Sequence, residues 1–133
     1  FINSIGVQIG INLDRYIKAR HPDYEDGLIE RHLKESHRTT GRLLHYFPVT
    51  DDVDTSEMKW CGWHNDHGTV TGLCSAMYLD KDFNEIHPSE IEDNESGLFA
   101  MTRDHQEVKL KIPADSLLFQ IGETAQILSG GLL

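Results

Sequence analysis

The sequence predicts an α+β, mainly β fold, with helices first and then a run of short strands without helices between them. Two observations predict it. Apolar residues recur every three or four positions through the first third of the chain, and from there the period falls to two. Turn residues then punctuate the chain at short intervals, which favours an antiparallel sandwich or barrel behind a helical layer over a doubly wound sheet.

The first helix is read from Ile2, Ile5, Ile9, Leu13, Tyr16 and Ile17, one apolar stripe that ends near Lys18 and Arg20, before Pro22 and Asp23. A second helix spans Leu28 to Ser36, with Leu28, Ile29, His32 and Leu33 on one side. Gly41 resets the chain, and Leu43 to Phe47 reads as a buried strand stopped by Pro48. Asp51 to Glu57 is an acidic, solvated loop, Thr69 to Leu79 is β-rich, and Asp80 to Ser96 is a polar connection. Gly97 to Thr102 and Glu107 to Ile112 flank Arg103 to Gln106 as a hairpin. Val108, Leu110 and Ile112 are expected on its buried face, Lys109 and Lys111 on its wet one. After the turn at Pro113 to Asp115, Leu117 to Ile121 makes another strand, Gly122 ends it, and Glu123 to Leu128 makes a short helical turn.

Composition narrows the function classes. The 133 residues make one domain or a piece of one, and 38% hydrophobic with 26% charged residues is ordinary globular composition. Twelve Lys and Arg against 22 Asp and Glu give a net charge of -10, which works against nucleic acid and anionic membrane surfaces as partners. No apolar run approaches the roughly 20 residues of a membrane-spanning helix. Cys61 and Cys74 are too few for a disulfide framework; two buried free thiols are expected, and a reducing, cytoplasmic compartment rather than secretion. The chain opens at Phe1 without an initiator Met and stops at Leu133 after Gly130 and Gly131, so a piece of a longer polypeptide is expected.

The densest cluster of chemistry is Trp60-Cys61-Gly62-Trp63-His64-Asn65-Asp66-His67-Gly68-Thr69. In a strand, residues two apart face the same way, so His64 and Asp66 can offer an imidazole nitrogen and a carboxylate oxygen to one point. Those are two-thirds of the facial triad that holds non-haem Fe(II). A lone His-x-Asp pair is weak, because a histidine beside a carboxylate is commonplace.

The neighbouring residues strengthen it. Trp63 to Leu73 resembles the metal-binding strand of the isopenicillin N synthase-like Fe(II)/2-oxoglutarate oxygenases, which carry Trp-His-x-Asp followed by Gly, Thr and Leu at these spacings. Arg42 to Pro48 resembles that family's Asn-Tyr-Tyr-Pro strand. Gly97-Leu98 with the Arg103 to Gln106 turn resembles its later hairpin. Pro113 to Ser129, with Gln120-Ile121-Gly122-Glu123 and Gln126, resembles its Pro-Gly and Asn-Ile-Gly-Asp segment. The resemblance covers roughly Gly41 to Leu133. It implies a helical layer over residues 1–40, then a double-stranded β-helix (jelly-roll) core over 41–133 that is incomplete at its C-terminal end.

The resemblance further implies Fe(II) held by His64, Asp66 and a distal histidine, which is expected just beyond Leu133. The Arg and Ser that grip the cosubstrate 2-oxoglutarate are expected further still. Tyr46 is the candidate to hydrogen-bond the 2-oxoglutarate carboxylate; its alternative role is a core aromatic pair with Phe47, which stands where the family has a second tyrosine. His45 replaces the family's Asn and could orient a ligand; Trp60 and Trp63 read equally as packing residues or pocket walls. His105, in the hairpin turn, reads as solvent-exposed, His67 should point away from Asp66, and His87 lies in the acidic connection.

The function implied is an oxidoreductase, an Fe(II)- and 2-oxoglutarate-dependent dioxygenase acting on a small molecule. The 133 residues alone are expected to bind iron weakly and turn nothing over. The principal rival is a non-catalytic jelly-roll binding or scaffold module with a vestigial metal site; a relative that uses no 2-oxoglutarate is a third reading. A jelly roll short of its last strands exposes a sheet edge, so self-association is also expected.

Overall fold

The computed structural model describes residues 1–47, 61–91 and 96–133. The stop at Pro48, the acidic loop at 51–57, Trp60 and residues 92–95 of the polar connection lie outside the described residues.

Helix α1 spans Ile2–Lys18 and α2 spans Leu28–Glu35, as the periodicity predicts. Basic Arg15 and Lys18 sit in the last turn of α1, where they meet the negative end of the helix dipole. The face that α1 buries differs from the aliphatic stripe, however. Gly6, Gly10, Asp14 and Ile17 are buried, whereas Ile2 and Tyr16 are exposed and Ile5, Ile9 and Leu13 are half-buried. Glycine explains the rotation. A Cβ on Gly10 would lie 2.8 Å from Leu33 Cδ1 and 3.5 Å from the Glu30 backbone, so its bare backbone lets α2 approach there. On α2, Ile29 is fully buried and Leu28 and Leu33 half-buried, but His32 is exposed.

Asp14 is the polar residue that makes this buried face possible. Gly27 precedes α2 in a left-handed conformation (φ 69°) and has no side chain to cap the free N–H groups of the first turn. Asp14 reaches across from α1 instead: Oδ1 accepts the Ile29 N–H at 2.9 Å and Oδ2 accepts the Glu30 N–H at 2.8 Å. The Tyr24 hydroxyl donates to the same Oδ1 at 2.6 Å. Burial, and then that bond to the carboxylate, pushes the Tyr24 hydroxyl pKa well above its ordinary value.

The chain forms two compact units, one of residues 1–71 with 121–133 and one of residues 72–120. In the first, Ile17, Ile29 and Ala125 form the buried core, with Leu13, Tyr24, Leu33, Ile121, Leu132 and Leu133 packed against it. Ala125 comes from α3, Glu123–Leu128, which follows Gly122 where the sequence places it.

The strands are β1 (Val70–Cys74), β2 (Tyr78–Leu79), β3 (Glu85–Ile86), β4 (Leu98–Met101), β5 (Glu107–Leu110) and β6 (Leu117–Ile121), with a 3-10 turn at Pro88–Glu90. Among the described residues they make three two-stranded sheets: β1 with β6, β2 with β3, and β4 with β5. The fold is therefore α+β. The hairpin predicted around Arg103 to Gln106 forms, with Leu98 opposite Leu110 and Met101 opposite Glu107. His105 is exposed in its turn, in the left-handed region at φ 61°, and the Thr102 side chain ties the turn to Asp104 and Gln106. The bond from Thr102 holds the Asp104 carboxyl below its usual range. Between β2 and β3, Asp80 accepts the N–H groups of Asp82 and Asn84 and the Asn84 side-chain amide, which carries Phe83 through φ 64°.

Three expectations need correction. Leu43 to Phe47 forms no strand; residues 41–47 are irregular and exposed, Leu43 completely. An apolar run becomes a strand only where another strand accepts its ladder, and none among the described residues does. The two faces of β5 do not separate cleanly either: Val108 is exposed, and Lys109 is half-buried with its amine 5.8 Å from the centre of the Phe99 ring. Finally, Cys61 and Cys74 are free thiols but exposed.

Candidate metal site at His64 and Asp66

Residues 61–69 are not a strand; β1 begins only at Val70. The two predicted ligands nevertheless meet: His64 Nε2 lies 3.5 Å from Asp66 Oδ1. Anchoring replaces pleating as the reason. Glu123 N–H donates to Asp66 O at 2.7 Å, Thr124 N–H to Gly68 O at 3.2 Å, and Gly122 N–H to Thr69 O at 3.0 Å. The Thr124 hydroxyl donates to His67 O at 2.6 Å. The start of α3 thus satisfies its free N–H groups with the carbonyls of residues 66 and 68, which clamps the segment carrying the site.

The side chains are oriented as well as placed. His64 Nδ1 lies 2.8 Å from Gly62 O, which can only accept, so the ring proton sits on Nδ1 and the Nε2 lone pair is left available. On Asp66, the Thr71 hydroxyl donates to Oδ2 at 2.5 Å and leaves Oδ1 as the oxygen nearest His64. Asp66 is the more sheltered of the two, with 26% of its side chain exposed against 56% for His64.

This donor set fits a divalent cation as two neighbouring ligands. Two donors each about 2.1 Å from one ion and at 90–110° to each other lie about 3.0–3.4 Å apart, close to the observed separation. One neutral nitrogen and one anionic oxygen also suit Fe(II). Among the described residues no group of three or more His, Cys, Asp or Glu is placed to hold a metal.

The other candidates lie elsewhere. Tyr46 is exposed, and so are its neighbours His45 and Phe47, whose rings stack with centroids 4.5 Å apart. His67 pairs with Glu123 Oε2 at 2.8 Å. His87 caps the 3-10 turn by accepting the Ser89 N–H at 3.2 Å. Trp63 is exposed, and Cys61 Sγ lies 3.6 Å from His64 Nδ1. Sequence reasoning gave no role at this site to Thr71 or Gly62, and took Gly122 only as the end of a strand. The signal for Thr71 was a hydroxyl five residues after the carboxylate; for the other two there is none, since one acts through its carbonyl and the other through its missing Cβ.

No protein-family model, curated protein or solved structure matches this chain. No helix among the described residues is long and apolar enough to cross a membrane.

Proposed function

We propose that this chain carries part of the metal site of an Fe(II)- and 2-oxoglutarate-dependent dioxygenase with a jelly-roll core, acting on a small molecule, and that His64 and Asp66 are two of its metal ligands. The observation that carries the reading is the pair of available donors, Nε2 and Oδ1, at 3.5 Å. When bound, the ferrous ion supplies activation of oxygen together with a chelating keto acid. The chain's own part is to hold one imidazole and one carboxylate on the clamped segment 61–69, with proton and hydrogen-bond partners arranged so that both present lone pairs. The third ligand and the Arg and Ser that grip the 2-oxoglutarate carboxylate come from outside the described residues on this reading, and Tyr46, which is exposed, is the candidate among the described residues for a hydrogen bond to that carboxylate.

A Mn(II) titration followed by calorimetry, with Mn(II) as a redox-stable stand-in, tests this. Weak binding that falls at least about 10-fold in both His64→Ala and Asp66→Ala supports the proposal. Unchanged binding in either variant removes that residue from the site. A tight, stoichiometric site in the 133 residues would instead mean that a complete ligand set is present.

One observation favours the non-catalytic alternative, a binding or scaffold module. Leu43, Leu44, Tyr46 and Phe47 are four exposed apolar side chains within five residues, and exposed apolar groups gathered in this way favour contact with another chain. On that reading His64 and Asp66 are the remnant of a metal site, and neither substitution changes the contact.

A further inference from the structure

We infer that Thr71 is a positioning residue, fixing Asp66 so that it gives the metal one oxygen instead of two. This rests on the proposed metal site and extends it to the number of coordination positions left open.

The argument starts from the carboxylate. Asp66 has two equivalent oxygens, and an isolated aspartate can bind an ion through one or both. Here they are distinguished. The Thr71 hydroxyl donates to Oδ2 at 2.5 Å, a short bond of the charge-assisted kind, while Oδ1 faces His64 Nε2. For Asp66 to chelate, both oxygens would have to come within about 2.2 Å of the ion, which draws Oδ2 off the hydroxyl. Thr71 cannot simply follow. It lies in β1, its backbone is held by the strand, and a β-branched side chain has little χ1 freedom. The main chain of Asp66 cannot follow either, because Glu123 N–H holds its carbonyl at 2.7 Å.

The gain is an open position. With three single-atom protein ligands, an ion held here would keep positions open for a chelating keto acid and for oxygen. A chelating Asp66 would take one of them. Removing the Thr71 hydroxyl should therefore both loosen the carboxylate and change the coordination number.

Co(II), whose visible absorption depends on coordination number and geometry, is the probe. It is titrated into the unaltered chain and into Thr71→Val, Thr71→Ser and His64→Ala. Thr71→Val keeps the shape without the hydroxyl, and Thr71→Ser keeps the hydroxyl. The inference expects Thr71→Val to bind about 10–100-fold more weakly with an altered spectrum, and Thr71→Ser to match the unaltered chain in both respects. If Thr71→Val binds with unchanged affinity and spectrum while His64→Ala loses binding, Thr71 does not position Asp66 and the metal site itself stands. If Thr71→Ser is as impaired as Thr71→Val, the hydroxyl is not the cause and the inference fails. If His64→Ala binds as well as the unaltered chain, or the unaltered chain binds no Co(II), the metal site fails and the role of Thr71 goes with it.

Discussion

Gly122 and Gly68 touch so closely that a methyl group on Gly122 would sit 2.0 Å from the Gly68 carbonyl oxygen. The same methyl would be 3.0 Å from Asp66 O, and all the atoms it meets there are backbone. No side-chain rotation can relieve such a contact. The contact ties the end of β6 to the segment that carries His64 and Asp66.

Gly122→Ala should therefore be a costly substitution, in the range of about 1–3 kcal/mol typical of overpacking, or more. It should displace residues 66–69, so metal affinity falls together with stability. Urea denaturation and Mn(II) titration of the same variant check both. A stable variant with unchanged affinity would mean that the chain relaxes at this point without moving the ligands.

Asp14→Ala removes the acceptor for the first N–H groups of α2 and for the Tyr24 hydroxyl, and leaves them facing a buried position. The expected loss is about 2–3 kcal/mol, above an ordinary cap because the carboxylate is charged and serves three donors. A lower urea midpoint and reduced helical circular dichroism are the readouts. Asn at the same position should recover part of the loss, since one of its two groups still accepts.

Alkaline pH should act through Tyr24. Its folded pKa is raised, so the stability it contributes is complete below the ordinary tyrosine value of about 10 and is lost as pH climbs beyond that value. Between pH 9 and 11 the unaltered chain should lose more stability than Tyr24→Phe, which has no proton to lose. Other tyrosines and lysines titrate in both proteins and cancel in the comparison. Equal losses in the two would separate Tyr24 from the pH response.

The exposed run at Leu43 to Phe47 should make the chain associate with itself. Sedimentation velocity over a range of concentrations should show association that Leu43→Ser with Phe47→Ser reduces, with no loss of helicity. If the doubly substituted chain associates as before, the contact lies on another surface, such as an open strand edge.

The same run shows what a sequence pattern can and cannot convey. Period and turn chemistry located α2, β6, α3 and the β4–β5 hairpin within a residue or two, because each of these is decided by neighbours in the chain or by a partner strand close in sequence. Leu43 to Phe47 carries as good a strand pattern, but a strand also needs a distant acceptor for its ladder, and local composition holds no record of that acceptor. Helix α1 gives the complementary lesson. Its aliphatic stripe was visible, yet Gly10 and Asp14 face the partner helix, since close approach and a buried cap outweigh a wider apolar face. At the metal site, His64 and Asp66 were legible from residue type and spacing. The groups that orient them were not, because a Gly62 carbonyl and a Thr71 hydroxyl look like any others until the chain folds.

The cap that Asp14 provides has a bearing on the order in which this chain can fold. At eight residues, α2 is too short to persist alone in water, and Gly27 gives it no start of its own. It begins only once Asp14 has been brought beside it on an already coiled α1, so the two helices should appear and disappear as one cooperative step. Amide hydrogen exchange would report this directly. The N–H groups of Ile29 and Glu30, bonded to Asp14 and not to their own helix, should exchange at the pace of α1 opening. Faster exchange there would mean that the cap opens independently of the helix that supplies it.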